Sequence, residues 1–410
     1  MYKDVLIDQL ISAEEHRQAR TINLIASENC APMHIKKILA SSLMNKYAEG
    51  LPGKRYYARC SVVDDIETCA IRRCMSLFGA DHANVQPLSG SQANMALYAA
   101  LLKPGDVIMG MDLAAGGHLT HGHTVNFSGI YYKNISYGVD PQTEQIDYES
   151  IAELAAEHKP KLIMAGASAY SRRIDFARMK KIADNVGAFF VADIAHYAGL
   201  IAAGLYPSPV PYADIVSGTT HKTLLGPRGG FLLSKETYRE KIDRAVFPLL
   251  QGGPFMHAIA AKAYAFGYAL TDDFVEYQRQ ALYNAQCMVR EFNQKGYRIV
   301  SGGTDTHLFV VDLSSCALTG HVAECALENA GILTSRSCIP GDRQKPRVAS
   351  GIRIGTLAIT RRGLQEEHVI MLVELIDKIL KNPQDTHVQK SVNEEVVCLC
   401  RDFPVCFPVC

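Results

Sequence analysis

From Asp81 onward the chain alternates short apolar runs with amphipathic stretches, and this rhythm constrains its fold more than any other feature. Val107-Ile-Met-Gly, Lys161-Leu-Ile-Met-Ala, Ala188-Phe-Phe-Val-Ala and Ile215-Val-Ser-Gly have strand length and are too apolar for a surface. Between them, apolar residues recur at helical spacing over Tyr148–His158 and Phe176–Val186. The repetition predicts a parallel sheet carrying helices. Ligands in such sheets gather beyond the carboxyl ends of the strands, where Asp193 and Thr219–Lys222 fall.

A chain of 410 residues suits two or three lobes. Residues 1–45 read as an arm: a polar helix, then Asn23-Leu-Ile-Ala-Ser-Glu-Asn29, then a helix from about Pro32. Residues 46–271 hold the sheet. Residues 272–410 open on a long helix from Asp272 to Lys295 and form a smaller lobe. There Tyr297-Arg-Ile-Val and Leu308-Phe-Val-Val-Asp read as strands, and Ala323–Ala330 and Gln365–Leu380 as helices. Lys+Arg and Asp+Glu balance at 42 each, which argues against nucleic-acid or anionic-membrane partners. No apolar run spans a bilayer and the N-terminus lacks a signal-peptide core, so a cytoplasmic protein is expected. Among the 12 cysteines no paired CxxC motifs frame a zinc site. Cys398, Cys400, Cys406 and Cys410 read as reduced thiols acting as small apolar side chains.

The stretch from Val216 to Gly230 sets Lys222 among small and hydroxylated residues, after His221 and before a Gly-Pro turn. Imine chemistry needs a neutral amine, which desolvation favours, and a fixed place, which the Thr-Thr-His run and the turn provide. Ser89-Gly-Ser-Gln-Ala-Asn94 follows a predicted strand end at Asn84–Pro87 and opens a helix over Met95–Leu102. Hydroxyls and N–H groups bind phosphate in that setting, though a serine there also serves as a plain N-cap. Gln251-Gly-Gly-Pro254 offers further N–H groups to the same anion.

Asp193-Ile-Ala-His196 puts a carboxylate at a strand end. A protonated pyridine nitrogen is one partner for it, and the next helix's N-terminus is another. Gly116-Gly-His118-Leu-Thr-His121-Gly-His123 has no adjacent carboxylate or cysteine to complete a zinc set, so no metal is expected. A flat imidazole stacked on a flat ring suits His118, with His121 and His123 structural. Ser350-Gly-Ile-Arg353-Ile-Gly-Thr356 places an arginine inside an apolar strand. Its partner is either an internal acid or a substrate carboxylate held through paired N–H···O bonds.

Together these segments resemble the serine hydroxymethyltransferase family, pyridoxal-phosphate enzymes of the aspartate-aminotransferase fold. The likeness runs nearly end to end. It extends through Asn45-Lys-Tyr-Ala-Glu-Gly50, Pro52-Gly-Lys-Arg-Tyr-Tyr57, Val125-Asn-Phe-Ser-Gly129 and Gly302-Gly-Thr-Asp305. The resemblance implies an α/β protein of fold type I, with a large three-layer α/β/α domain and a small α+β C-terminal domain. It implies pyridoxal 5'-phosphate held as an internal aldimine on Lys222, with Asp193 at the pyridine nitrogen and His118 stacked on the ring. Ser89, Gly90 and Ser91 would hold the phosphate, while Ser168 and His196 contact the ring oxygen. Tyr47 and Gly253 would reach the phosphate of a neighbouring subunit.

Ser27 and Arg353 match the family's grip on the substrate carboxylate, and His196 also faces the substrate. Glu49 matches its acid–base carboxyl, with Tyr57 beside it and His221 completing the catalytic set. Glu49, Tyr56, Leu119 and Gly122 would meet tetrahydrofolate, the co-substrate. The implied reaction interconverts L-serine and glycine through a glycine quinonoid, in one-carbon metabolism and amino-acid biosynthesis. Shared sites imply a homodimer or a dimer of dimers.

The family pattern is not kept everywhere. Ala115 and Leu88 stand where histidines are usual, Gly218 interrupts a threonine run, and Ala58-Arg59 replaces a Gly-Gly pair. Leu357 replaces a proline, and Ser335-Arg336-Ser337 replaces Asn-Lys-Asn, whose asparagines help hold the folate ring. These changes motivate a rival within the family: a folate-independent threonine aldolase or transaldolase, or an α-methylserine hydroxymethyltransferase. A non-catalytic scaffold binding RNA or protein is the rival from another class, and neutral charge with the Lys222–Asp193–Arg353 set argues against it.

Overall fold

The computed structural model describes residues 3–405, so Cys406 and Cys410 lie outside the described residues. Two compact units emerge. One runs from His34 to Arg279; the other joins the described residues up to Met33 with those from Gln280 on.

A seven-stranded sheet organises the first unit. Its order is His82–Asn84, Gly230–Ser234, Ile215–Thr219, Phe189–Asp193, Leu162–Gly166, Val107–Met111 and Lys133–Tyr137. The last five form a parallel block, and the four apolar runs picked from the sequence are all in it. Gly230–Ser234 runs against both its neighbours. That reversed strand is absent from the sequence expectation. It arises because the chain doubles back after Thr219, and Gly230 then pairs with that residue.

Every residue of Leu162–Gly166, Ile215–Thr219 and Gly230–Ser234 is buried, as strands covered on both faces must be. Helix Gly90–Leu101 packs on Ile215–Thr219 and Gly230–Ser234, and Phe176–Val186 on Phe189–Asp193 and Leu162–Gly166. Ala93, Leu97, Tyr98, Met164, Val191 and Leu232 share one core cluster. Local signals set the ends of Phe176–Val186: the Asp175 side chain accepts from the Arg178 N–H, and Gly187 stops the helix at φ 69°.

The second unit holds a four-stranded antiparallel sheet in the order Arg298–Ile299, Leu308–Asp312, Gly351–Gly355, Ser335–Ser337. Phe309, Val311, Ile352 and Ile354 pack with Leu372, Ile376 and Val396 into its core. The N-terminal chain belongs here: Ile22–Asn23 pairs in parallel with Ile332–Leu333. Cys400 is buried and Cys398 exposed, both free. Among the described residues no helix is long and apolar enough to cross a membrane.

Candidate active site

Parallel strands bring their carboxyl ends to one edge, and the register there aligns Gly166, Asp193 and Ser217. The chain leaving those three strands carries Ser168, His196 and Lys222 respectively. Gly116 O accepts the Ser168 N–H at 2.7 Å, which ties the His118 segment to the same edge.

Asp193 is the electrostatic centre. Its Oδ1 accepts the Ala195 N–H at 2.9 Å, so it does cap the following turn. Its Oδ2 accepts from Asn94 Nδ2 at 2.8 Å and lies 3.2 Å from His121 Nε2. Burial alone would raise the pKa of this carboxyl. The His121 hydrogen bond and charge, His118 and Asn94 together hold it well below the usual carboxylate range. Asn94 also donates to Thr120 Oγ1 at 2.8 Å and accepts from Ser217 Oγ. His118 Nδ1 sits 2.7 Å from Thr120 Oγ1.

Asn94 is a site residue that the sequence does not single out. Asn94 lies within the quoted Ser89–Asn94 segment, one turn into the helix, and that spacing was the only signal for it. His121 was expected to be structural, yet it shares an oxygen of Asp193 with Asn94. The carboxylate missing from the sequence around His121 arrives from another strand. Even so, among the described residues no group of three or more His, Cys, Asp and Glu side chains is placed to hold a metal ion.

Ser89 caps the helix Gly90–Leu101, accepting the Gln92 N–H at 3.2 Å. The helix therefore starts at Gly90 rather than near Met95. Its first free N–H groups are those of Gly90 and Ser91, and among the described residues neither meets a backbone acceptor. Only glycine fits at Gly90, where a Cβ would stand 2.6 Å from Thr219 Cγ2. The Gln251–Pro254 turn is fastened alongside: Gln251 Oε1 accepts the Leu88 N–H at 3.2 Å, and Gln251 Nε2 donates to Gln86 O at 3.1 Å.

Lys222 lies in a closed loop. Thr220 fastens it, its N–H reaching Gly229 O at 3.1 Å and its hydroxyl Pro227 O at 2.6 Å. His221 Nδ1 accepts the Gly229 N–H at 3.4 Å. Burial, with Arg228 and Lys222 nearby, pushes the His221 pKa down to about 4, so the ring is neutral at physiological pH.

Near the 251–254 turn lie the residues of the 47–57 hairpin. A Cβ on Gly253 would stand 3.0 Å from the Tyr47 ring, and one on Gly252 3.1 Å from Glu49 Oε1. The Tyr47 and Tyr57 rings are 4.9 Å apart. Desolvation, Glu49 and Tyr47 raise the Tyr57 pKa. The Tyr56 and Phe247 rings lie 5.8 Å apart, tilted by 57°. Leu119 is exposed, and Gly122, at φ 113°, faces Asn134 where a side chain would collide.

In the second unit, alternation along Gly351–Gly355 buries Ile352 and Ile354 and turns Arg353 to the other face. Burial pulls its guanidinium pKa down to about 10. Val310 and Ser335 are its cross-strand neighbours, and the buried Ser335 hydroxyl has no hydrogen-bond partner among the described residues. Ser27 follows a run fastened to the same strand end, where Leu24 O accepts the Gly355 N–H at 2.8 Å and His307 Nε2 lies 3.1 Å from Ala26 O.

A mostly parallel sheet of this kind, with its carboxyl edge so furnished, is the fold-type I architecture of pyridoxal-phosphate-dependent transferases. Comparison with known proteins narrows the class. Residues 1–376 match the family described as serine hydroxymethyltransferase. Over 402 residues the chain is 51% identical to serine hydroxymethyltransferase 1 of Pseudomonas fluorescens (strain Pf0-1), covering 98% of each. The chain belongs to the serine hydroxymethyltransferase family, whose members use pyridoxal phosphate with tetrahydrofolate as co-substrate.

Proposed function

We propose that the chain interconverts L-serine and glycine with the residue roles that follow, tetrahydrofolate taking the one-carbon unit. When bound, pyridoxal phosphate supplies an electron sink for the pair left at the substrate Cα. The observation carrying this reading is the buried, ionised Asp193, braced by Asn94 and His121 and able to hold a proton at the ring nitrogen. Lys222 would supply the tethering amine, His118 would lie against the ring, and Ser168 and His196 would face its oxygen. Ser89 and the N–H groups of Gly90 and Ser91 take the phosphate. Their lack of a backbone acceptor supports that role.

Arg353, with Ser27, holds the substrate carboxylate and thereby selects which Cα bond stands perpendicular to the ring. Glu49 moves a proton at the substrate hydroxyl, with Tyr57 beside it. Neutral His221 adds no further positive charge beside the Lys222 amine. Glu49, Tyr56, Leu119 and Gly122 take the folate.

The working form we infer is a cytoplasmic homodimer. Tyr47, Tyr56, Tyr57 and Phe255 stay 53%, 76%, 46% and 51% exposed, an aromatic surface that a second copy would cover. Tyr47 and Gly253 would then serve the neighbour's phosphate. Cys60, Cys74, Cys287 and Cys400 are buried free thiols, which suits a reducing compartment.

Borohydride treatment of the loaded protein should leave the vitamin fixed on Lys222, recoverable as a modified peptide. Serine and tetrahydrofolate should yield glycine and the methylene derivative together. Serine cleavage indifferent to folate would instead favour the aldolase or α-methylserine readings, to which the partnerless Ser335 hydroxyl lends weight. Sedimentation showing only monomer at working concentration would sink the dimer.

A further inference from the structure

Lys262 is a buried amine with no task in the reaction above. It lies within helix Met256–Tyr268 at 1% exposure. Its Nζ donates to three main-chain carbonyls: Val85 at 2.7 Å, Pro87 at 2.8 Å and Gly230 at 2.9 Å. Three acceptors use all three N–H donors of an ammonium, and a neutral amine has only two. Burial pulls its pKa down to about 7, opposed by Cys74 and Glu67. Holding a charge in such a place is costly, and the three carbonyls say what it is held for.

Those carbonyls belong to two segments that meet at the start of helix Gly90–Leu101. Val85 and Pro87 lead into Ser89, and Pro87 O also accepts the Gly230 N–H at 2.9 Å. A side chain on Gly230 would force the main chain to shift there, because its Cβ would stand 2.3 Å from Ser89 O. Gly229 gives the lysine passage: a Cβ at that position would stand 2.4 Å from Lys262 Cε. Gly229 O in turn holds the Thr220 N–H that closes the Lys222 loop. One ammonium thus clamps the Ser89–Ser91 cradle to the returning end of that loop. Its partners carry no net charge, so its own charge raises the positive potential behind the cradle.

We propose that Lys262 is a positioning residue for the cofactor phosphate, setting the spacing between the Ser89–Ser91 cradle and the Lys222 loop and favouring an anion there. This rests on the reading that the cradle takes that phosphate. The test compares apo-protein, Lys262→Met and Lys262→Gln in absorbance titrations with pyridoxal phosphate and with pyridoxal, which lacks the phosphate. Circular dichroism of each apo-protein reports folding.

Lys262→Met should weaken pyridoxal phosphate binding by about ten-fold or more while pyridoxal binding stays within about two-fold, and Lys262→Gln should fall between. Equal losses for both ligands, or no loss, overturn the proposal. So does failure of both variants to fold while the parent apo-protein folds, which makes the lysine merely structural. A parent protein that does not prefer the phosphorylated ligand refutes the cradle reading itself, and the proposal falls with it.

Discussion

His121 Nε2 and Asn94 Nδ2 meet the same oxygen of Asp193, at 3.2 Å and 2.8 Å. One donor comes from the 3-10 turn Leu119–His121 and the other from helix Gly90–Leu101, so the carboxylate is held in direction as well as charge. Asp193→Asn keeps the shape and removes the charge that a ring-nitrogen proton requires. We expect kcat to fall by about 100-fold or more, the scale of losing one preorganised electrostatic contact, with far-UV circular dichroism unchanged. Turnover within a few-fold of the parent would remove Asp193 from its assigned role.

Gly230 stands 2.3 Å from Ser89 O at the position of an added Cβ, and the obstacle is main chain on both sides. Gly230→Ala should therefore cost about 1–3 kcal/mol in urea unfolding of the apo-protein, as overpacking does. Gly138→Ala is the matched control, since a Cβ there meets nothing within 4 Å. Equal midpoints for the two variants would show that the cradle relaxes freely.

Much of this site is legible in the sequence because its parts are local. Asp193 and Lys222 each follow an apolar run, and a strand end is where a parallel sheet presents ligand-facing residues. Helices Tyr148–His158 and Phe176–Val186 match their expected spans because periodicity and caps agree. What escaped is non-local. Strand Gly230–Ser234 hides behind a chemically loud loop, and only its pairing with Thr219 reveals its direction. Asn94 and Lys262 look ordinary in the sequence. Their importance comes from partners about 100 or more positions away, Asp193 for one and Val85 and Pro87 for the other.

Arg353 offers a test confined to the amino acid. Its neighbours along the strand are isoleucines buried on the opposite face, so truncating Arg353 leaves their core packing in place. Arg353→Ala should retain the cofactor's visible absorbance while losing serine and glycine affinity by about 2–5 kcal/mol, the cost of removing one side of a buried charged pair. Equilibrium titration with glycine measures it. Near-parental glycine affinity would assign the carboxylate to another residue.

The last expectation concerns acid. His221 has its pKa pushed from 6.5 down to about 4 by burial and by Arg228 and Lys222. Between those values the unfolded chain binds a proton that the folded protein refuses, so stability must rise with pH across that window. The full contribution is present above pH 6.5 and is lost as pH falls toward 4, by up to about 3 kcal/mol for the apo-protein. Asp193 does not confuse the result. Its carboxyl titrates lower still in the folded protein, from an ordinary value of 3.8, so it is ionised in both states over most of the window. His221→Asn offers a neutral oxygen to the Gly229 N–H and nothing to protonate. Its urea midpoint should change less with pH between 4 and 6.5 than the parent's. Parallel profiles for the two proteins would mean that another group carries the acid sensitivity.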